Sequence, residues 1–111
     1  TPWFYTDAKP ISVATYREVF AKHDPNAKPE DAVVMVSYNE ARSFVGTRGG
    51  RLMTSEEWDA AASTANFSVA DGVLEWVDSP GDKKLVRLHK QKELRPDAKQ
   101  KDVTFRMAKN P

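Results

Sequence analysis

Adjacent carboxylates Glu56 and Glu57 precede Trp58 in the stretch GGRLMTSEEWDAAAS, residues 49–63. Paired carboxylates can divide acid and base roles between them, but neighbouring positions on a helix diverge by about 100° and do not face each other. Glu75, held between Leu74 and Trp76, is a second candidate carboxylate. In apolar company it survives ionised only with backbone donors or an arginine, so it reads as a structural acid before a catalytic one. Trp58 and Trp76 could stack on a sugar or a base, yet at a cap and in a strand interior they read as core anchors. His23 and His89 are the only imidazoles, and neither has a zinc-spaced partner or a nearby serine for a triad. Arg48-Gly49-Gly50 has the look of a phosphate cradle but lacks the following lysine and the strand-to-helix setting, so a turn is expected there. The chain has no cysteine, which takes away disulfides, thiolate nucleophiles, Cys-ligated zinc and iron–sulfur clusters together. No metal or other cofactor is expected.

The elements that would carry these residues announce themselves unevenly. Ser37-Tyr-Asn-Glu40 is a capping box, with Ala41, Phe44 and Val45 as the buried stripe behind it. Thr54-Ser-Glu-Glu57 repeats the device, and Met53 ahead of the cap with Trp58 at the fourth helical position makes a hydrophobic staple. Glu56 and Asp59 then sit near the first turn, where the helix dipole favours negative charge. Upstream, WFYTDAKPI reads as extended. SVATYREVFAKHD places Val13, Tyr16, Val19 and Phe20 at helical spacing behind Ser12, which predicts an amphipathic helix ending before His23, where HDPNAKPED makes a loop. AVVMV predicts a buried strand or extended segment. Asp71-Gly72 between NFSVA and VLEWV predicts a tight hairpin, with Val73, Glu75 and Val77 on one face and Leu74 and Trp76 on the other. KKLVRLHKQ and DVTFRMA are expected strands, joined by the charged loop KELRPDAKQK.

At 111 residues, 40% apolar and 30% charged, the chain suits one globular domain spanning 1–111. No apolar run approaches the roughly 20 residues of a membrane span, and no secretory leader pattern opens the chain. Starting on Thr1 without an initiator methionine, it is expected to be a domain excised from a larger protein. The net charge of +1 hides an asymmetry: from Asp82 to Lys101, eight Lys/Arg face three acids. On strands, such charges are ordinarily a solvated face, and lysine at a sheet edge discourages unwanted pairing. As function, Arg87, His89, Lys90, Lys92 and Arg95 form the candidate binding residues, a positive patch for an acidic protein or anionic glycan. Nucleic acid is disfavoured because the aromatics are not interleaved with the basic residues.

Five segments in order, PISVATYREVF, VSYNEARSFVG, GGRLMTSEEWDAAA, GVLEWVDSP and TFRMA, resemble the formylglycine-generating-enzyme-like (sulfatase-modifying factor) domains over nearly the whole chain. The resemblance implies an α+β fold of the C-type-lectin-like kind, with two or three helices packed on small antiparallel sheets and much loop. It implies structural roles for Ser37, Glu40, Thr54, Glu57, Trp58, Glu75 and Trp76. It also marks departures. Catalytic members hold copper with a pair of cysteines, which this chain lacks; Asp71 and Gly72 stand where an asparagine belongs to a calcium-binding region of some members. The expectation is therefore a non-catalytic interaction module within a larger bacterial or phage protein, its partner a protein or anionic glycan at the basic C-terminal loop. An extracytoplasmic or cell-envelope setting is favoured over a cytoplasmic one. The alternatives are an oxidase of the formylglycine-generating or sulfoxide-synthase type and a self-associating structural element.

Overall fold

Ser37 and Thr54 each accept a hydrogen bond from the backbone N–H three residues on, and Glu40 and Glu57 return the bond to the cap's own N–H. Both capping boxes thus form, and the two helices they start hold most of the helical residues. A computed structural model describes residues 4–88 and 90–111. Among them run β1 (Tyr5–Thr6), α1 (Val13–Tyr16), α2 (Tyr38–Thr47), α3 (Ser55–Ala62), β2 (Leu74–Trp76), β3 (Lys84–Arg87), β4 (Gln91–Leu94), β5 (Val103–Thr104) and β6 (Ala108–Lys109). The chain is a compact α+β domain with a radius of gyration of 12.9 Å.

β1 pairs antiparallel with β6, which sets Tyr5 opposite Lys109 and Thr6 opposite Ala108. The larger sheet has the order β4-β3-β2-β5. It is mixed, because β2 runs parallel to β5 and antiparallel to β3, where purely antiparallel sheets were expected. β2 lies inside this sheet and is buried on both faces. Leu74 and Trp76 join the main core with Tyr16, Phe44 and Phe105, while Val77 joins a smaller core of Met53, Trp58 and Ala61. The alternation expected for this strand therefore divides two apolar clusters, with Glu75 on the side of the smaller one.

Several expected elements differ. The helix expected behind Ser12 and up to residue 22 ends at Tyr16: the N–H groups of Glu18 and Val19 bond the carbonyls three residues back, a tighter winding. The Arg17 side chain causes the turn-off, donating to the carbonyls of His23, Asp24 and Ala27 and drawing the loop under the helix end. Val19 is left 39% exposed. AVVMV is extended, burying Val33 and Val36, but only Ala32 makes a bridge, to Ser12. Met35 breaks it with φ of 59°.

The Asp71-Gly72 turn forms, with Gly72 at φ of 72° and the Val73 N–H on the Ala70 carbonyl at 3.1 Å. The hairpin does not. β2 already has β3 and β5 on its two edges, and in NFSVA the Ser68 N–H bonds Ala8 while its carbonyl goes to Arg106. The hairpin of this sheet is β3–β4 instead, in the register Lys84 to Leu94 and Arg87 to Gln91. The expected charged loop thus begins as a strand.

Tyr16 is the hub of the main core, stacked on Phe20 at 4.8 Å and Phe44 at 5.3 Å between ring centres. Its hydroxyl is buried and has no hydrogen-bond partner among the described residues, and burial, helped by the nearby Glu40 charge, pushes its pKa well up. An unsatisfied buried hydroxyl costs roughly 1–3 kcal/mol of desolvation. Tyr16→Phe should therefore leave the urea unfolding midpoint unchanged or raise it; a loss of more than about 1 kcal/mol would mean that the hydroxyl is bonded in solution.

Candidate functional site

Of the candidate residues in the sequence, Glu75 has the most constrained surroundings. β2 points it into the smaller core, where its side chain and that of Arg106 are each 1% exposed. Arg106 donates from Nε to Oε1 at 2.7 Å and from Nη2 to Oε2 at 2.6 Å, the bidentate fork that guanidinium geometry favours. Trp58 Nε1 donates to Oε1 at 3.1 Å. The remaining Arg106 donors reach the carbonyls of Asp7 at 3.1 Å, Ala8 at 3.2 Å and Ser68 at 2.6 Å, so all five guanidinium N–H groups are used. Its carbon centre lies 3.7 Å from the Phe67 ring centre, and Phe67 meets Trp58 edge-on at 5.4 Å.

A carboxylate bonded on both oxygens and sealed from water is poorly placed as a base, since a base must reach the proton it abstracts. This one is a clamp that ties the N-terminal segment, the loop at Ser68, α3 and the C-terminal segment to β2. Removing one partner of a buried pair strands the other charge, at a cost of about 3–5 kcal/mol. Arg106→Met should unfold in urea at a correspondingly lower concentration, and Glu75→Leu added to it should recover stability rather than lose more. An additive loss in the double variant would show that the two charges do not depend on each other.

Glu57 is held similarly at the surface. Oε1 accepts from the Thr54 N–H at 2.9 Å and from Arg51 Nη1 at 2.7 Å, and Oε2 accepts from Arg51 Nη2 at 2.9 Å. Arg51 also reaches Asn110 at 3.0 Å and so ties α3 to the chain end. Glu40 accepts from the Ser37 N–H at 3.0 Å and pairs with Lys99 at 3.3 Å. Glu56 is exposed, so the adjacent glutamates do not converge. His23 Nε2 lies 2.9 Å from the Val34 carbonyl and its ring meets Tyr16 edge-on at 4.8 Å. Trp76 is 2% exposed and donates to the Val36 carbonyl at 2.8 Å. Arg48 pairs with Glu18 at 2.9 Å, and Gly49 turns the chain with φ of 72°.

The candidate basic residues fall into two groups. Arg87 faces inward: its side chain is 11% exposed, pairs with Asp59 at 2.6 Å, bonds Ser55 and lies 5.0 Å from the Trp58 ring centre. Across the β3–β4 ladder Lys92 opposes Val86, so it emerges on the other face from Arg87. Lys90, Lys92 and Arg95 are exposed along β4 and its ends, Arg95 beside Asp97 at 3.3 Å. His89 lies outside the described residues. Arg106, Arg51 and Arg17 are the structural cations that were not singled out from sequence. A lone arginine inside the apolar run VTFRMA was the available signal for the first. Among the described residues, no three His, Asp or Glu side chains gather where a metal ion could sit. No family model matches the chain, and no curated protein matches it.

The Arg51 guanidinium, with the Thr54 N–H, holds the Glu57 carboxyl below its ordinary pKa against the opposing effect of burial. Burial acts to raise Glu40 as well, but the Ser37 N–H and Lys99 outweigh it and its pKa is also lowered. A carboxyl with a lower pKa folded than unfolded stabilises the fold above the unfolded value, near 4.3, and loses that contribution as pH falls through the folded value. Glu57→Gln should cost about 1 kcal/mol at neutral pH, as loss of a cap does, and the difference from wild type should shrink below about pH 4. Chemical denaturation at pH 7, 5 and 3 reads this; parallel profiles would remove Glu57 as the source.

Proposed function

We propose that this chain is a non-catalytic interaction module on a C-type-lectin-like scaffold of the formylglycine-generating-enzyme-like kind, binding an anionic partner along β4 and the residues that flank it. The observation that carries the reading is a separation of charge by role. Glu40, Glu57, Asp59 and Glu75 are each engaged by a cation, a cap or both, while Lys92 on the outer strand β4 and Lys90 and Arg95 at its two ends stand exposed, Arg95 beside Asp97. The described structure pairs β4 with β3 alone, so its other edge presents backbone donors and acceptors to a partner. Cations beside that edge favour an acidic protein or an anionic glycan by raising its local concentration and encounter rate.

The motifs that resemble the family fit this reading because each has a scaffold role. Two capping boxes orient α2 and α3, and Trp58 and Glu75 join α3 to β2. The resemblance brings no copper-binding cysteines with it, which favours binding over oxidation.

The triple variant Lys90→Glu, Lys92→Glu, Arg95→Glu changes only exposed side chains and should fold. On immobilised heparin and on poly-L-glutamate at about 0.15 M salt, where surface charges are screened beyond roughly 8 Å, the wild-type chain should be retained by at least one matrix and the variant by neither. Arg87→Gln should change stability more than retention. Equal elution of wild type and the triple variant from both matrices would defeat the proposal.

A further inference from the structure

A second concave site lies between α2, the loop that follows it and the residue after Val77. Tyr38, Arg42, Gly46, Gly50, Arg51 and Asp78 line a cleft of about 240 Å³. Its two arginines differ. Arg51 is engaged by Glu57, Asn110 and the Leu52 carbonyl. Arg42 makes no hydrogen bond or ion pair among the described residues, and it is exposed on the same helix face as Tyr38, one turn on. Asp78 uses Oδ1 to accept the Tyr38 hydroxyl at 2.8 Å and keeps Oδ2 unbonded among the described residues. Arg42 and Asp78 therefore line one cleft without pairing with each other, although the Asp78 charge also acts on Arg51 across it.

Gly46 adds an independent indication. It lies in the last turn of α2, where glycine is less favourable than alanine by up to about 1 kcal/mol. A Cβ there would meet nothing within 4 Å, and its φ lies outside the left-handed range. Neither packing nor backbone conformation requires this glycine, whereas the absent side chain leaves the cleft open. Gly50, on the same wall, is different: a Cβ there would come within 2.4 Å of the Met107 side chain.

We infer that the cleft binds a free α-amino acid, its carboxylate on the Arg42 guanidinium and its ammonium on Asp78 Oδ2 beside the Tyr38 hydroxyl. A planar guanidinium fork matches a carboxylate, and one tetrahedral carbon bearing both charges satisfies both walls. The volume is roughly eight times the share of one water in the liquid, below the 300–1,000 Å³ of drug-sized pockets, and it suits a molecule of this size. The site does not rest on the anionic-partner reading, since none of its lining residues belongs to β4.

The test is a titration of the ¹⁵N-labelled chain with L-serine, followed at the Gly46 amide and the Arg42 Nε–H, with acetate and methylammonium as half-ligands. Wild type should give saturating shifts with L-serine and a midpoint at least about tenfold lower than with either half-ligand, the factor that 1.4 kcal/mol of added binding supplies. Arg42→Ala and Gly46→Leu, the second placing a side chain at a position where a Cβ meets nothing within 4 Å, should both keep the overall spectrum and lose saturation. Non-saturating shifts in wild type, an equal midpoint with acetate or methylammonium, or an unchanged L-serine midpoint in either variant would overturn the assignment.

Discussion

The buried Glu75–Arg106 pair constrains this fold more than any apolar contact does. Taking two charges out of water costs several kcal/mol each, and their attraction offsets that only when the geometry is good and the remaining donors are satisfied. Here every guanidinium N–H has an acceptor and both carboxylate oxygens are bonded. Those acceptors are scattered along the chain, at Asp7, Ala8, Ser68 and Glu75. Satisfying one arginine therefore fixes where four separated segments must meet. β2 has to be interior, because only an interior strand can offer Glu75 to a sealed site.

Such a constraint is needed because the strands are short. Elements of two to four residues form few ladder bonds, and isolated two-stranded pairs are marginal in water. Side chains supply what the ladders lack. Arg51 joins α3 to Asn110 while its backbone pairs with Ala108, and Tyr38 joins α2 to Asp78. Burial raises the Tyr38 pKa to about 12, with help from the Asp78 bond, so the phenol stays a donor throughout the physiological range. Arg17 closes the loop after α1 in the same manner. Three arginines and a tyrosine thus hold loops that a larger domain would hold with longer strands.

What the sequence disclosed follows from the range of the interactions. Capping boxes are local, closed within four residues, so Ser37–Glu40 and Thr54–Glu57 were legible, and so was the alternation of Leu74 and Trp76 against Glu75 and Val77. The end of α1 was not, because it depends on Arg17 reaching carbonyls six to ten residues away. The Asp71-Gly72 turn was legible as a turn, but its use as a hairpin depended on which strands competed for the edges of β2. That competition is decided by β3, some ten residues on, and by β5, about thirty residues on. An acid at position 75 told of a partner; nothing local named Arg106.

The same distinction bears on function. Read as a string, residues 82–101 are one basic patch; folded, Arg87 on β3 is covered by α3, while Lys90, Lys92 and Arg95, on the outer strand β4 or beside it, are exposed. Arg87 turns inward to Asp59 and Trp58, and its charge is spent on holding α3 against the sheet. Lys90, Lys92 and Arg95 remain outward, where a cation meets a partner only by displacing water from both. An interior ion pair is strong because its geometry is fixed, and for that reason it cannot answer to a ligand. Exposed cations on a strand edge are individually weak, and any binding they provide must be additive, dependent on salt and tolerant of single substitutions. The cleft beside Arg42 combines the two regimes, since its walls are fixed by the Tyr38–Asp78 bond and by α2 while one guanidinium stays unpaired. A concave cleft with an unengaged charge can discriminate by shape as well as charge, whereas β4 offers a strand edge and exposed cations with no enclosing walls.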